Sequence, residues 1–247
     1  MRSALLFSAA AAALMMITAG AASAQEATPQ STPPELEATG VADTGGPELS
    51  FNLALTSDYV FRGISQNDED LAIQGGVDVT SGMLYAGAWA SNVDFGDGTN
   101  AEVDLYAGVR PEVGGFSLDF GVIYYGYLGQ PDDANWDFVE VKAAASRGIG
   151  PVTFGAAAFY SPEFTGEVGP SLYSEINAAG ELSPRVTLSG AFGKQAVDEG
   201  DDYNTWNFGG VFTLTDALSV DLRFWNTDIE DLPIAEERIV ATLKAVF

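Results

Sequence analysis

Glu102 and Asp104 stand two residues apart in Ala101-Glu102-Val103-Asp104-Leu105, and on an extended backbone that spacing puts both carboxylates on one face. Two neighbouring carboxyl groups are the equipment of glycoside hydrolysis, one serving as acid and the other as base or nucleophile. The remaining composition gives this chemistry no support. The chain has 0 histidines and 0 cysteines, which removes serine–histidine triads, histidine acid–base catalysis, histidine zinc sites, disulfides and thiol chemistry. No glycine-rich phosphate loop is present, because the glycines fall inside alternating segments and turns. The reading is therefore a non-enzymatic chain without a cofactor or metal, in which Glu102 and Asp104 are two members of a larger set of charges sharing one face.

That face belongs to a repeated pattern. From Glu48 to Phe247, runs of 10 to 13 residues alternate apolar with small or polar side chains. Leu49, Phe51, Leu53, Leu55, Tyr59 and Phe61 oppose Ser50, Asn52, Thr56, Asp58 and Arg62, and only a period-two backbone separates those sets. Val103, Leu105, Ala107 and Val109 likewise oppose Glu102, Asp104, Tyr106 and Arg110. The pattern predicts strands near 48–61, 70–80, 83–94, 101–112, 115–127, 136–147, 151–161, 171–182, 185–195, 203–214, 218–228 and 236–247.

Connector lengths alternate as well. Ser81-Gly82, Val113-Gly114, 148–150, Ser183-Pro184 and 215–217 read as tight turns, whereas 62–69, 95–100, 128–135, 162–170, 196–202 and 229–235 are longer and acidic. Short turns below and long loops outside describe a transmembrane antiparallel up-and-down β-barrel of about twelve strands with periplasmic termini. The composition of the faces agrees. One is rich in Leu, Val, Phe, Tyr and Trp, whereas the other offers Gly, Ala, Ser, Thr, Asn and charges, the reverse of a soluble core. Aromatic residues near strand ends, Tyr59, Phe61, Tyr124, Tyr127, Trp136, Tyr160, Trp206, Phe224 and Trp225, suit interfacial girdles.

Parity then assigns an interior set: Asp58, Arg62, Glu102, Asp104, Arg110, Asp119, Glu140, Lys142, Glu175, Asp221, Arg223 and Lys244. Two roles are open to it. The charges either cross-link a narrow interior in pairs or line a water-filled path that selects solutes by charge. With seven carboxylates against five cations in that set, the preference expected is mildly for cations.

The ends carry addresses rather than fold. Arg2, the apolar stretch from Ala4 to Ala19 and Ala22-Ser23-Ala24 read as a signal peptide over 1–24, cleaved after Ala24. Residues 25–47, with Pro29, Pro33, Pro34 and Pro47, read as a flexible periplasmic leader, which leaves 48–247 for the barrel. The last strand closes on Ile239, Ala241, Leu243, Ala245 and Phe247, a terminal aromatic that resembles the signal read by the barrel assembly machinery. Ten Lys plus Arg against 35 Asp plus Glu, a net charge of −25, exclude nucleic acid as a partner.

The segment Ser57-Asp58-Tyr59-Val60-Phe61-Arg62-Gly63-Ile64-Ser65-Gln66 resembles the TorF family of proteobacterial porin-like proteins. So do 85–93, Glu102-Val103-Asp104-Leu105-Tyr106-Ala107-Gly108, Tyr124-Tyr125-Gly126-Tyr127-Leu128-Gly129 and Tyr160-Ser161-Pro162-Glu163-Phe164. Leu128 stands where the family favours proline. The resemblance spans 48–247 and implies an outer-membrane barrel surrounded by lipid and lipopolysaccharide, without supplying a substrate. In the first motif Asp58 and Arg62 read either as a strand-end pair, with Gly63 supplying a turn, or as solute-gating groups. The expected function is a channel for passive passage of small hydrophilic solutes or ions. The alternative is a non-conducting structural or surface-interaction barrel.

Overall fold

The computed structural model describes residues 46–247; the signal segment and all but the last two residues of the leader lie outside the described residues. The barrel strands are β1 Glu48–Thr56, β2 Ala72–Ser81, β3 Leu84–Asn92, β4 Ala101–Val109, β5 Phe116–Leu128 and β6 Phe138–Ile149. They continue as β7 Val152–Ser161, β8 Ser171–Ser183, β9 Val186–Val197, β10 Tyr203–Thr215, β11 Leu218–Thr227 and β12 Arg238–Val246. Each strand pairs antiparallel with its sequence neighbours, and β1 pairs with β12 in the register Leu53↔Ala245, so the twelve strands close into a ring. A two-residue piece, Glu112–Val113, extends the wall beside β5. Closure satisfies every lateral row of backbone groups, which a sheet in hydrocarbon requires.

The exterior is greasy. Phe51, Leu53, Leu105, Phe192, Phe208 and Leu222 are each 47–61% exposed, at levels that would be costly in water and are favourable against acyl chains. On the inside, several glycines leave room for tyrosines reaching across from neighbouring strands. A Cβ on Gly121 of β5, for instance, would stand 2.6 Å from the Tyr85 hydroxyl of β3.

Two expectations of the alternating pattern are corrected. The first strand stops at Thr56 instead of running to Phe61, because Ser57 and Asp58 break the extended register and the following chain turns into the barrel. Tyr59 and Phe61, 3% and 0% exposed, are therefore interior groups rather than girdle residues. Tyr127 and Trp225 are also turned inward, at 4% and 2%, and Trp136 is half-buried among the loops; Tyr124, Tyr160 and Phe224 do face outward. The 57–71 connector holds a small hairpin of its own, Val60–Phe61 paired with Ile64–Ser65.

The outward face sets the first measurable expectation. Phe192 lies at the middle of β9 and faces outward, so Phe192→Arg should destabilise the refolded barrel by about 2–4 kcal/mol if that ring sits at the bilayer midplane. Leu182→Arg, next to the Ser183-Pro184 turn, should cost less; urea unfolding in lipid vesicles reads both.

Candidate functional site

Ten consecutive residues, Asp58 to Asn67, are buried inside the ring near the end carrying the long loops. The hairpin tip is Arg62-Gly63, with φ of 45° and 90°, the positive values a two-residue primed turn demands. Glycine adopts this backbone freely, whereas arginine does so under strain. Internal bonds hold the segment in shape: the Ser65 hydroxyl donates to Asp58 Oδ1 at 2.7 Å, the Tyr59 N–H to Asn67 Oδ1 at 2.9 Å and the Gln66 N–H to the Tyr59 carbonyl at 2.7 Å.

Arg62 reaches the far wall. Its Nη2 donates to both Glu140 oxygens of β6, at 2.7 and 2.9 Å, and its Nη1 to Gln195 Oε1 of β9 at 2.5 Å. The guanidinium lies 4.4 Å from the Tyr173 ring centroid of β8 and 5.2–6.0 Å from those of Phe61, Phe159 and Phe164. A charge-assisted hydrogen bond to a carboxylate and contact with aromatic faces both hold a desolvated guanidinium, and both converge here. Both members of the pair are fully buried.

Two further ties fix the segment to other walls. Asp58 pairs with Arg238 of β12 at 3.1 Å, and the Tyr59 hydroxyl donates to Glu102 Oε1 of β4 at 3.1 Å while its ring meets Trp89 edge-on at 5.4 Å. Asp58 and Arg62 thus do not form the strand-end pair that was one reading of the motif; each finds its partner on the barrel wall. Gly63 does supply the turn. Glu102 and Asp104, the pair nearest to acid–base chemistry, are fully buried on β4.

The remaining charges form smaller groups. Asp119 of β5 accepts from Lys142 of β6 at 2.8 Å, from Arg110 at 3.2 Å and from the Tyr85 hydroxyl at 2.8 Å. Arg110, with its side chain 28% exposed, lies 4.1 Å from the Tyr85 ring centroid. Arg223 of β11 donates to Asp221 and Asn207 and to Ser189, each at 2.9 Å. Glu175 of β8 accepts from Tyr173 and Asn177, both at 3.0 Å. Lys244 of β12 is half-buried.

The sequence list omitted four participants: Asp78, which accepts from the Tyr106 hydroxyl, and Arg238, Gln195 and Tyr173. Strand parity would have found Asp78, since it follows Gln74 and Gly76 on the inner face of β2. Adding Asp78 and Arg238 raises the set to eight carboxylates (Asp58, Asp78, Glu102, Asp104, Asp119, Glu140, Glu175, Asp221) against six cations (Arg62, Arg110, Lys142, Arg223, Arg238, Lys244). The negative excess persists.

The long loops close over this end. Phe95 packs on Tyr127 and Trp136 with ring centroids 5.4 and 6.1 Å apart, and the Trp136 indole donates to Asp97 Oδ2 at 2.9 Å. Partial burial disfavours the Asp97 charge, but hydrogen bonds from the Thr99 N–H and the Trp136 indole outweigh it and hold this carboxyl below its ordinary 3.8. A depressed carboxyl contributes stability in full above its unfolded value and loses it as pH falls through the folded one. The Asp97 tie between the loops is therefore retained down to pH 3.8 and lost below it. Trp136→Phe should move the Asp97 titration upward toward 3.8, followed by carboxyl-carbon NMR. At the socket, Glu140→Ala leaves the Arg62 guanidinium buried without its counter-charge and should cost about 3–5 kcal/mol, whereas Arg62→Met with Glu140→Leu should recover most of it in urea unfolding.

In three-dimensional comparison the chain is similar to the KdgM porin, with a TM-score of 0.57 at 6% identity over 80% of this chain and 98% of that one. KdgM in complex with disordered oligogalacturonate gives 0.58 at 6% identity, over 81% and 98% of the two chains. The NanC porin gives 0.53 at 9% identity, again over 81% and 98%. These likenesses establish the fold as that of outer-membrane porins. No curated protein matches the sequence. Residues 41–246 match the model of the family described as "Bacterial protein of unknown function (Gcw_chp)", and the chain belongs to that family.

Proposed function

We propose that the chain is a porin-like channel of the bacterial outer membrane, giving passive passage to small hydrophilic solutes or ions. One observation carries this reading: a closed ring of strands whose apolar side chains face outward and whose polar and charged side chains face inward. In this orientation the termini and short turns lie in the periplasm, and the long acidic loops lie outside among lipopolysaccharide. The outward apolar face meets outer-membrane lipid, and β12, with Ile239, Ala241, Leu243 and Ala245 on that face, is the segment offered to the barrel assembly machinery. The motif at 57–66 supports placing the chain with the TorF porin-like proteins.

The twelve predicted interior residues act as lumen-lining groups in this reading. Their carboxylate excess, continued by exposed Asp97, Glu163, Glu167, Asp198 and Glu199 in the loops, favours neutral or cationic solutes. A polyanion such as the oligogalacturonate captured with KdgM fits this interior poorly. No enzymatic step is proposed.

The second reading is a non-conducting barrel with a structural or surface role. It is favoured by the Asp58–Asn67 segment across the lumen and by the pairing of interior charges. Planar bilayers separate the two. The channel reading expects discrete conductance steps and, under a salt gradient, a reversal potential displaced toward the cation. Membranes that stay sealed at high protein load, both for the full chain and for a form with 58–67 replaced by a Gly-Ser run of equal length, select the non-conducting barrel.

A further inference from the structure

Residues 58–67 leave the wall at β1, and the tip they carry binds Glu140 on β6, Gln195 on β9 and the Tyr173 ring on β8. In a ring of twelve strands the position opposite β1 is β7, so the segment crosses the whole lumen. Yet it takes no part in the barrel's hydrogen-bonded ladders. Its regular pairing is with itself, two residues against two, and its attachments to the wall are made by side chains and single backbone bonds. Such an element can leave without opening the barrel.

We infer that residues 58–67 are a tethered plug that closes this channel, and that Arg62, seated among Glu140, Gln195 and Tyr173, is its latch. The inference rests on the channel reading above. The seat is mixed: Tyr59, Phe61 and Ile64 join an aromatic cluster with Trp89, Tyr125, Phe138 and Phe159, and Val60 meets Trp225 and Val240, whereas the tip itself is received by polar groups, Glu140, Gln195 and Thr205. The seated segment also keeps the carboxyls of Glu102 and Asp104 fully buried, and burial of ionisable groups carries a desolvation cost that falls when the lumen fills with water. The tip adds strain, since Arg62 holds φ at 45° where the turn suits glycine or asparagine. Against these stand the Arg62–Glu140 ion pair and the aromatic faces around Arg62. Asp58 with Arg238, Tyr59 with Glu102 and Trp89, and the apolar packing of Val60, Phe61 and Ile64 hold the base of the segment, so the tip that spans the lumen is the part that depends on Arg62.

Single-channel recording on the refolded full-length barrel tests this. Arg62→Ala combined with Glu140→Gln removes the latch without stranding a buried charge, and it should raise open probability at least about tenfold, a shift expected when a buried ion pair no longer biases two states. The opposite perturbation locks the plug. A Cβ built on Gly63 stands 3.2 Å from Thr205 Cβ but only 2.4 Å from Thr227 Cγ2, so Gly63→Cys with Thr205→Cys, together with Thr227→Ala to clear that methyl, makes one cross-link of nearly suitable span in this cysteine-free chain. Oxidised, that variant should be silent; reduction with dithiothreitol should restore its steps. Far-UV circular dichroism and heat-modifiable gel mobility confirm that each variant is folded. Equal open probability in the latch variant and the wild type, or equal conductance of the lock before and after reduction, overturns the plug and leaves the channel standing. If the wild type, the latch variant and the Gly-Ser replacement all stay sealed, the channel reading itself fails, and this inference with it.

Discussion

Backbone groups in hydrocarbon have no water to turn to, and this constraint orders the rest of the structure. It forces the sheet to close, which β1 and β12 do through the Leu53↔Ala245 register. Closure sends the apolar side chains outward into lipid and collects every charged strand residue of one parity in a confined interior. Eight carboxylates and six cations gathered there cannot all be solvated, so they are tied to one another and to hydroxyl and amide groups: Asp119 to Lys142 and Arg110, Arg223 to Asp221, Arg62 to Glu140. The ion pairs follow from the closure rather than cause it, because a buried pair returns little beyond its own desolvation.

Confinement also explains the distribution of aromatic residues. Tyr85, Tyr106, Tyr125, Tyr127 and Tyr173 all point inward, and four of the five lie in the wall from β3 to β5. Each spans part of the lumen with a ring and ends in a hydroxyl that meets a carboxylate where a partner is resolved, as Tyr85 does with Asp119 and Tyr106 with Asp78. The glycines opposite them, such as Gly121, are the space these rings occupy. The result is a barrel filled unevenly, with aromatic and polar groups dense around residues 58–67. Smaller groups such as Ser146 and Asn177 line other parts of the wall.

Much of this was legible in the sequence, because period-two alternation survives in each strand and acts locally. It gave strand positions within a few residues and placed Glu102, Asp104, Asp119, Glu140, Lys142, Glu175, Asp221 and Arg223 on a single parity, where the structure shows them buried. Trp225 shares its parity with Asp221 and Arg223, and Tyr127 with Tyr125 and Ile123, so the same alternation places both rings inside the barrel rather than in a girdle. The inward turn after Thr56 was hidden for a different reason. Ser57 and Asp58 interrupt the alternation without changing its apparent phase, so Tyr59 and Phe61 look like the continuation of Leu53 and Leu55. Partners were beyond reach altogether, since Arg62–Glu140 spans 78 positions and Arg62–Gln195 spans 133, and strand register is not written in either segment alone.

A turn within such a loop would ordinarily take Asn-Gly, which adopts the required backbone at little cost. Here it is Arg62-Gly63. The substitution of a long cation for the residue the turn prefers makes physical sense only if what the side chain touches outweighs the strain at its own backbone. Glu140, Gln195 and four aromatic rings supply that, and all but Phe61 belong to strands or loops on the far side of the lumen. The strain and its compensation therefore sit on different parts of the molecule, joined by a single side chain. For the plug inferred above, the unseated arrangement is the one in which the backbone at Arg62 relaxes, Glu140 takes up water, and the ring of strands stays as it is.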